Sequence, residues 1–368
     1  MKSIVTGVCV VLLLVGALWA QGIGQFEKRS AQDSAIAQAV DRGARWLASV
    51  QGADGGWGQD GGETSYIRTA ERLESNGNDV ANTAVAALAL LRAGEKYQTN
   101  VDRALEFILR RVEASAADGL AITDSTGTQI QRKLGPYIDT FLTSMLLAQV
   151  DGTLSRPALN ARVRKALEKC VAKIERNQKA DGSWNVAGGW APVLGTSMAS
   201  RSLYEAQRKG VKVEPGVMAR ADSYTTDAIT RPAGAGVAGG VLRSTASADA
   251  AGVPLYQSAQ ALEQLSRTPE DRRKNAKQIA AINAQLSDAG FVNGFGSMGG
   301  EEFFSYLNIS DGLKRAGGPE WNKWHSQITQ KILALQNNDG TWAGHHCITG
   351  RVAVTSAAIL NLSTNHAN

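Results

Sequence analysis

The sequence predicts an all-α protein assembled from helical hairpins, and three observations carry that prediction. One stretch recurs as Gln51-Gly-Ala-Asp-Gly-Gly-Trp-Gly58, Gln178-Lys-Ala-Asp-Gly-Ser-Trp-Asn185 and Gln336-Asn-Asn-Asp-Gly-Thr-Trp-Ala343, each of the form Q-x-x-D-G-x-W. Loops inside successive segment pairs fall at intervals of roughly 50–65 residues, the spacing of a helical-hairpin repeat. The second segments of the pairs are apolar or small on every face, whereas the first segments carry frequent charges, so the second are expected inside and the first outside.

The elements follow in chain order. Residues 31–51 end in Arg45-Trp-Leu-Ala-Ser-Val-Gln51 and run into the first Asp-Gly turn, where Gly takes positive φ at no steric cost and Asp bonds its own backbone. The Trp after the turn can fold back on the helix just ended, with its N–H on a carbonyl or on the Gln amide, so the motif reads as a clasp between helices. In 79–94, Val80, Ala84, Ala87, Leu88 and Leu91 trace one helical face, and the rest is Ala-rich. Residues 99–116 and 136–150 flank Asp118-Gly119-Leu120, and 158–178 and 192–209 flank the second clasp. Residues 213–230 and 254–267 flank Gly234–Gly240, read as a cavity lid, and 271–289 and 302–317 flank Gly290–Gly300. The last pair, 320–337 and 349–363, holds the third clasp, and its second helix repeats the small-residue pattern in Val352-Ala-Val-Thr-Ser-Ala-Ala-Ile-Leu-Asn-Leu362.

Q-x-x-D-G-x-W resembles the QW motif of squalene and oxidosqualene cyclases, whose loops also occur in protein prenyltransferase β subunits. The resemblance covers about residues 31–363 and implies an (α/α)6 toroid, six inner helices ringed by six outer ones. Twelve helices in six hairpins is the number such a ring requires.

Residues 1–20 hold one Lys, an apolar run and a small residue before Gln21, the pattern of a secretory signal peptide; an uncleaved anchor is the competing reading. Residues 21–368 are then expected to form one toroid domain, secreted or periplasmic, with no stable transmembrane anchor. The formal charge is +5. Its basic clusters, Arg162 to Arg176 and Arg267 to Lys277, fall on predicted outer helices and read as solvated faces rather than a nucleic-acid site. Cys170 and Cys347 could pair in an oxidising compartment, which leaves that bridge open.

In a ring of this kind the cavity opens where inner helices begin, and helix N-termini there favour negative groups. That selects Asp79, Asn82, Asp139, Gln257, Glu301 and Glu302, with Tyr137, Trp190, Tyr256, Tyr306, Asn308 and Arg351 as ligand contacts. For each one taken singly, capping or packing is the competing role. Gly344-His-His-Cys-Ile-Thr-Gly-Arg351 adds His345 and His346 as acid/base candidates, and His346 with Cys347 as zinc ligands whose partners would come from across the cavity. The resemblance also says what is missing: no D-x-D-D, D-C-T-A-E or D-D-x-x-D occurs, and the D-x-C of the prenyltransferase zinc site is absent. The favoured expectation is therefore a binding or scaffold toroid for an apolar or isoprenoid-like ligand. Two alternatives remain: an enzyme, cyclase-like or metal-dependent, centred on His345, His346 and Cys347, or a carbohydrate-active enzyme using Glu301 with Asp139.

Overall fold

The computed structural model describes residues 31–59, 77–184, 191–230, 253–288, 299–317, 319–345 and 347–366. The leader-like residues 1–20, Trp190, the Gly234–Gly240 stretch, most of Gly290–Gly300 and His346 lie outside them. Among the described residues there is no strand, and extended pairing is limited to one bridge between Trp57 and Asp79.

Helix α1 (31–49) is followed by α2 (Val80–Ala93). Next come α3 (Gln98–Ala114), the short α4 (Gln129–Leu134) and α5 (Ile138–Val150). The third and fourth pairs are α6 (Pro157–Arg176) with α7 (Ala191–Arg208), and α8 (Pro215–Thr230) with α9 (Val253–Leu265). In the fifth, α10 (Pro269–Lys274) and α11 (Ala276–Leu286) precede α12 (Gly300–Ala316); the sixth is α13 (Pro319–Ala334) with α14 (Arg351–Leu362).

The second helices pack in sequence, α2 on α5, α5 on α7, α7 on α9, α9 on α12 and α12 on α14, and α14 returns to α2 to close an inner ring. The fold is the predicted all-α (α/α)6 toroid. Position in the ring follows from composition. Every residue of α2 from Val80 to Leu90 is buried, and its five alanines in that stretch let α14 and α5 approach closely on either side. Outer α3 instead buries one stripe, Val101, Ala104, Leu105, Ile108, Leu109 and Val112, and leaves its other face to solvent.

The three clasps share one set of hydrogen bonds. Indole N–H groups of Trp57, Trp184 and Trp342 donate to the carbonyls of Leu47, Ile174 and Ile332 at 2.8, 2.7 and 2.7 Å, each on the outer helix just ended. The backbone N–H of each Trp donates to a threonine on the following inner helix: Thr83, Thr196 or Thr355. Each Gln amide reaches the next outer helix, Gln51 to Asn100 O, Gln178 to Val217 O and Gln336 to Ala39 O. In return an arginine of that helix, Arg103, Arg220 or Arg42, donates to the Gln oxygen. Because Gln336 reaches α1, the third clasp joins the last pair to the first. Gly43 of α1 makes room there, since a Cβ at that position would lie 2.9 Å from the Trp342 ring.

Two departures from the sequence expectation arise from capping. The segment between Asp118 and the fifth helix contains α4, begun by a Thr128/Gln131 capping box. The predicted 271–289 helix is two helices broken at Asn275, the first opened by a Thr268/Asp271 box. At the C-terminal ends of the inner helices an ion network joins neighbours. Arg201 of α7 bonds Asn308 and Asp311 of α12, and Glu263 of α9 meets Arg267 and Arg315 at 3.2 and 2.9 Å. Burial pushes the Glu263 carboxyl up, but the two arginines overcome it and hold it at about 2.

Candidate ligand site at the mouth of the ring

At the opposite end the inner helices begin, and two carboxyls from adjacent helices meet. Asp79 caps α2: its side chain accepts from the Asn82 backbone N–H and from the Asn82 amide, both at 2.8 Å. Asp139 sits in the first turn of α5 and is 1% exposed. One of its oxygens accepts from the Ala81 backbone N–H at 3.0 Å, and the other from the Gln131 amide at 2.7 Å. Burial raises the Asp139 carboxyl to about 7; the Gln131 bond opposes that, and the nearby Asp79 charge adds to it. Burial also raises Asp79, against the bonds from Asn82 and the more distant charge of Arg111. Near neutral pH this corner of the ring therefore carries less negative charge than its composition suggests.

Helix α4 lies over that corner. Its capping box uses the Gln131 oxygen on the Thr128 N–H, which frees the Gln131 amide N–H for Asp139. Gln129, two residues earlier, donates to Thr349 Oγ1 at 2.9 Å and accepts from the backbone N–H groups of Thr349 and Gly350. These are the residues that lead into α14. At its far end α4 packs on α7, where a Cβ on Gly195 would come within 3.3 Å of the Leu134 carbonyl. Gln59 completes the seam between α2 and α14, its carbonyl accepting from Val352 N–H at 3.3 Å.

The residues singled out from sequence scatter around this corner. Tyr137 stands immediately before α5, half-buried and packed against the core. Tyr306, expected to line the cavity, faces outward instead: it packs edge-on against Trp324 of α13 and accepts from Lys331 of the same outer helix. The reason is its register on α12, which puts its ring between the two layers. Asn308 accepts from Arg201 and donates to Ser197, so it ties α12 to α7. Arg351 bonds Asp339 and lies over the Trp46 ring, which turns it toward the third clasp. Tyr256 lies on α9 but its side chain, like Trp190, lies outside the described residues.

The expected pairing of Glu301 with Asp139 divides into two pairs. The carboxyl beside Asp139 is that of Asp79, and the one beside Glu301 is that of Glu302. Glu302 is wholly buried, and burial raises its carboxyl to about 8; the Tyr306 hydroxyl approaches it, but neither oxygen meets a donor in good geometry. His345 is exposed, and Cys347 is half-buried with φ 59°, in the left-handed region that glycine prefers. Cys170 is buried within α6, its thiol raised to about 12, and no bridge joins it to Cys347. Among the described residues no group of three or more His, Cys, Asp or Glu side chains is placed to hold a metal ion. Sequence reading missed Gln59, Gln129 and Gln131. The Thr128-x-x-Gln131 box was the signal available for the last two.

Ring and mouth together define a toroid of the terpenoid cyclase type. Residues 20–129 match the family model described as the squalene-hopene cyclase C-terminal domain. A squalene–hopene cyclase of Bradyrhizobium diazoefficiens is 39% identical over 70 residues, 19% of this chain and 10% of that protein. Residues 20–129 are thus squalene cyclase-like, while the stretch aligned with the relative spans about a tenth of that protein's length.

Proposed function

We propose that this protein is a binding toroid that holds a largely apolar, isoprenoid-like molecule in its ring, without the strong acid that cyclisation of a bare hydrocarbon requires. One observation carries the reading. The opening of α2 reads Asp79-Val80-Ala81-Asn82, so compared with D-x-D-D it keeps the first carboxylate and has a methyl and an amide at the third and fourth positions. The carboxyl of Asp139, which accepts from the Ala81 N–H, is raised to about 7 by burial. An acid that holds its proton so firmly protonates an unactivated double bond poorly, but it serves well as a neutral hydrogen-bonding wall.

The test is to incubate the purified chain with squalene in detergent micelles, measuring binding by tryptophan fluorescence and products by gas chromatography with mass spectrometry. Saturable binding without conversion is expected. A cyclised product that disappears in Asp139→Asn would overturn the reading in favour of an enzyme. We further propose that the protein acts outside the cytoplasm, on the strength of the signal-like residues 1–20; an exported form beginning near Gln21 is the expected result of N-terminal sequencing.

A further inference from the structure

A wholly buried carboxyl without a partner keeps its proton, because ionising it in a desolvated site is costly until some donor turns toward it. Glu302 is such a group. It is 0% exposed, and neither of its oxygens has a hydrogen-bond partner. It stands in the first turn of α12 beside Glu301, which is buried as well. The loop leading into α14 presses on that turn, since a Cβ on Gly300 would lie 2.1 Å from the Ile348 carbonyl oxygen. One turn further along α12, Tyr306 is also fully buried; its hydroxyl accepts from Lys331 of α13 at 2.9 Å and approaches Glu302. Lys331 is half-buried, so the row of three runs from the edge of the outer layer inward to the carboxyl.

We propose that Lys331, Tyr306 and Glu302 form a pH-sensitive contact between the outer helix α13 and the inner helix α12, slack while Glu302 holds its proton and drawn tight once that proton is lost to solvent. An ammonium only donates, a phenol both accepts and donates, and a carboxylate only accepts, so an ionised Glu302 completes a chain that runs one way from Lys331 through Tyr306. Hydrogen bonds to a charged acceptor are shorter and stronger than neutral ones, which supplies the pull on the Tyr306 hydroxyl. The helix start and the Lys331 charge favour the ionised form, while burial and Glu301 oppose it. Other charges face elsewhere. On α13, Lys323 bonds Ser287 and His325 stacks on Trp321; Arg351 of α14 is turned to Asp339. Glu263 of α9 and Asp311, Lys314 and Arg315 of α12 lie at the far end of the ring, where Lys314 meets the 364–366 turn. In the loop before α14, His345 is exposed and Cys347 half-buried.

Trp324 packs edge-on against the Tyr306 ring at 6.0 Å, which makes it a reporter of this contact. The experiment follows tryptophan fluorescence of the full chain from pH 6 to 9.5, with circular dichroism to check that the helices stay intact, in the parent and in Glu302→Gln, Tyr306→Phe and Lys331→Met. A single transition centred at about 8 is expected in the parent and none in Glu302→Gln. Tyr306→Phe removes the donor and Lys331→Met the charge behind it, so each should move the midpoint up by about one pH unit, a tenfold change in proton affinity. If Glu302→Gln fails to fold, the upward shift in Lys331→Met, on the half-buried outer helix, carries the test. No transition in the parent, a transition that persists in Glu302→Gln, or a midpoint that neither Tyr306→Phe nor Lys331→Met moves would overturn the proposal.

Discussion

The first, third and sixth hairpins carry a clasp, and the second does not, although all four turn on Asp-Gly. In the clasped turns the glycine does two things. Gly182 has φ 88°, and a Cβ there would lie 2.2 Å from the Arg220 carbonyl of the next outer helix; Gly55 meets Arg103 in the same way at 2.5 Å. In the second hairpin, Gly119 has φ 71° with nothing within 4 Å. There the link to the next outer helix is made by Lys173, buried in α6, whose ammonium donates to the carbonyls of Ala116 and Asp118. The difference teaches what the clasp is for. It ties three Asp-Gly turns to the following outer helix, whereas the unclasped hairpin forms α4 and lays it over the mouth. The site draws on both kinds: Asp79 comes from a clasped hairpin, and Asp139 with α4 from the unclasped one.

The largest effect that tests this division is on the clasp tryptophan. Trp184→Ala should cost about 3–5 kcal/mol in urea unfolding, from lost burial and the unpaired Ile174 carbonyl. A cost under about 1 kcal/mol would mean the clasp is decoration on a ring held by helix packing alone.

The second test concerns the unclasped hairpin. Asp139 is protonated in the folded protein up to about 7 but ionises near its ordinary value of 3.8 when unfolded. The folded state then binds more protons between those values, so stability falls as pH rises through that window, by roughly 4 kcal/mol in all. Glu302, raised to about 8, adds a loss of the same sign that extends to higher pH. Melting curves from pH 4 to 8 should show the decline, and Asp139→Asn should flatten much of it below pH 7. A slope unchanged in that variant would show that Asp139 ionises freely and does not form the neutral wall.

Smaller effects sharpen the contrast between turns. Gly182→Ala should cost about 2–4 kcal/mol, combining left-handed strain with a backbone clash. Gly119→Ala carries the strain alone and should cost about 1 kcal/mol. Equal costs would remove the distinction between clasped and unclasped turns.

Much of this architecture was legible in the residues. The hairpin count, the assignment of Ala-rich helices to the inside and the fold-back of the clasp tryptophans all rest on local signals: periodicity, turn chemistry and a repeated motif. Asp139 and Asn82 were selected by their place at helix starts. Their surroundings were not legible, because a helix start says nothing of what covers it. Asp139 bonds Ala81, 58 positions away, and Gln129 bonds Thr349, 220 positions away. Tyr306 and Arg351 look equally suited to a cavity wall, yet register on α12 turns one toward the outer layer, and Asp339 with Trp46 draws the other to a clasp. By itself the sequence determined a ring of six hairpins, since each helix declares in its own residues which face it must bury. Tertiary structure alone decided that α4 covers the mouth and that two carboxyls beneath it share one desolvated corner, because only ring closure brings such distant segments within hydrogen-bonding range.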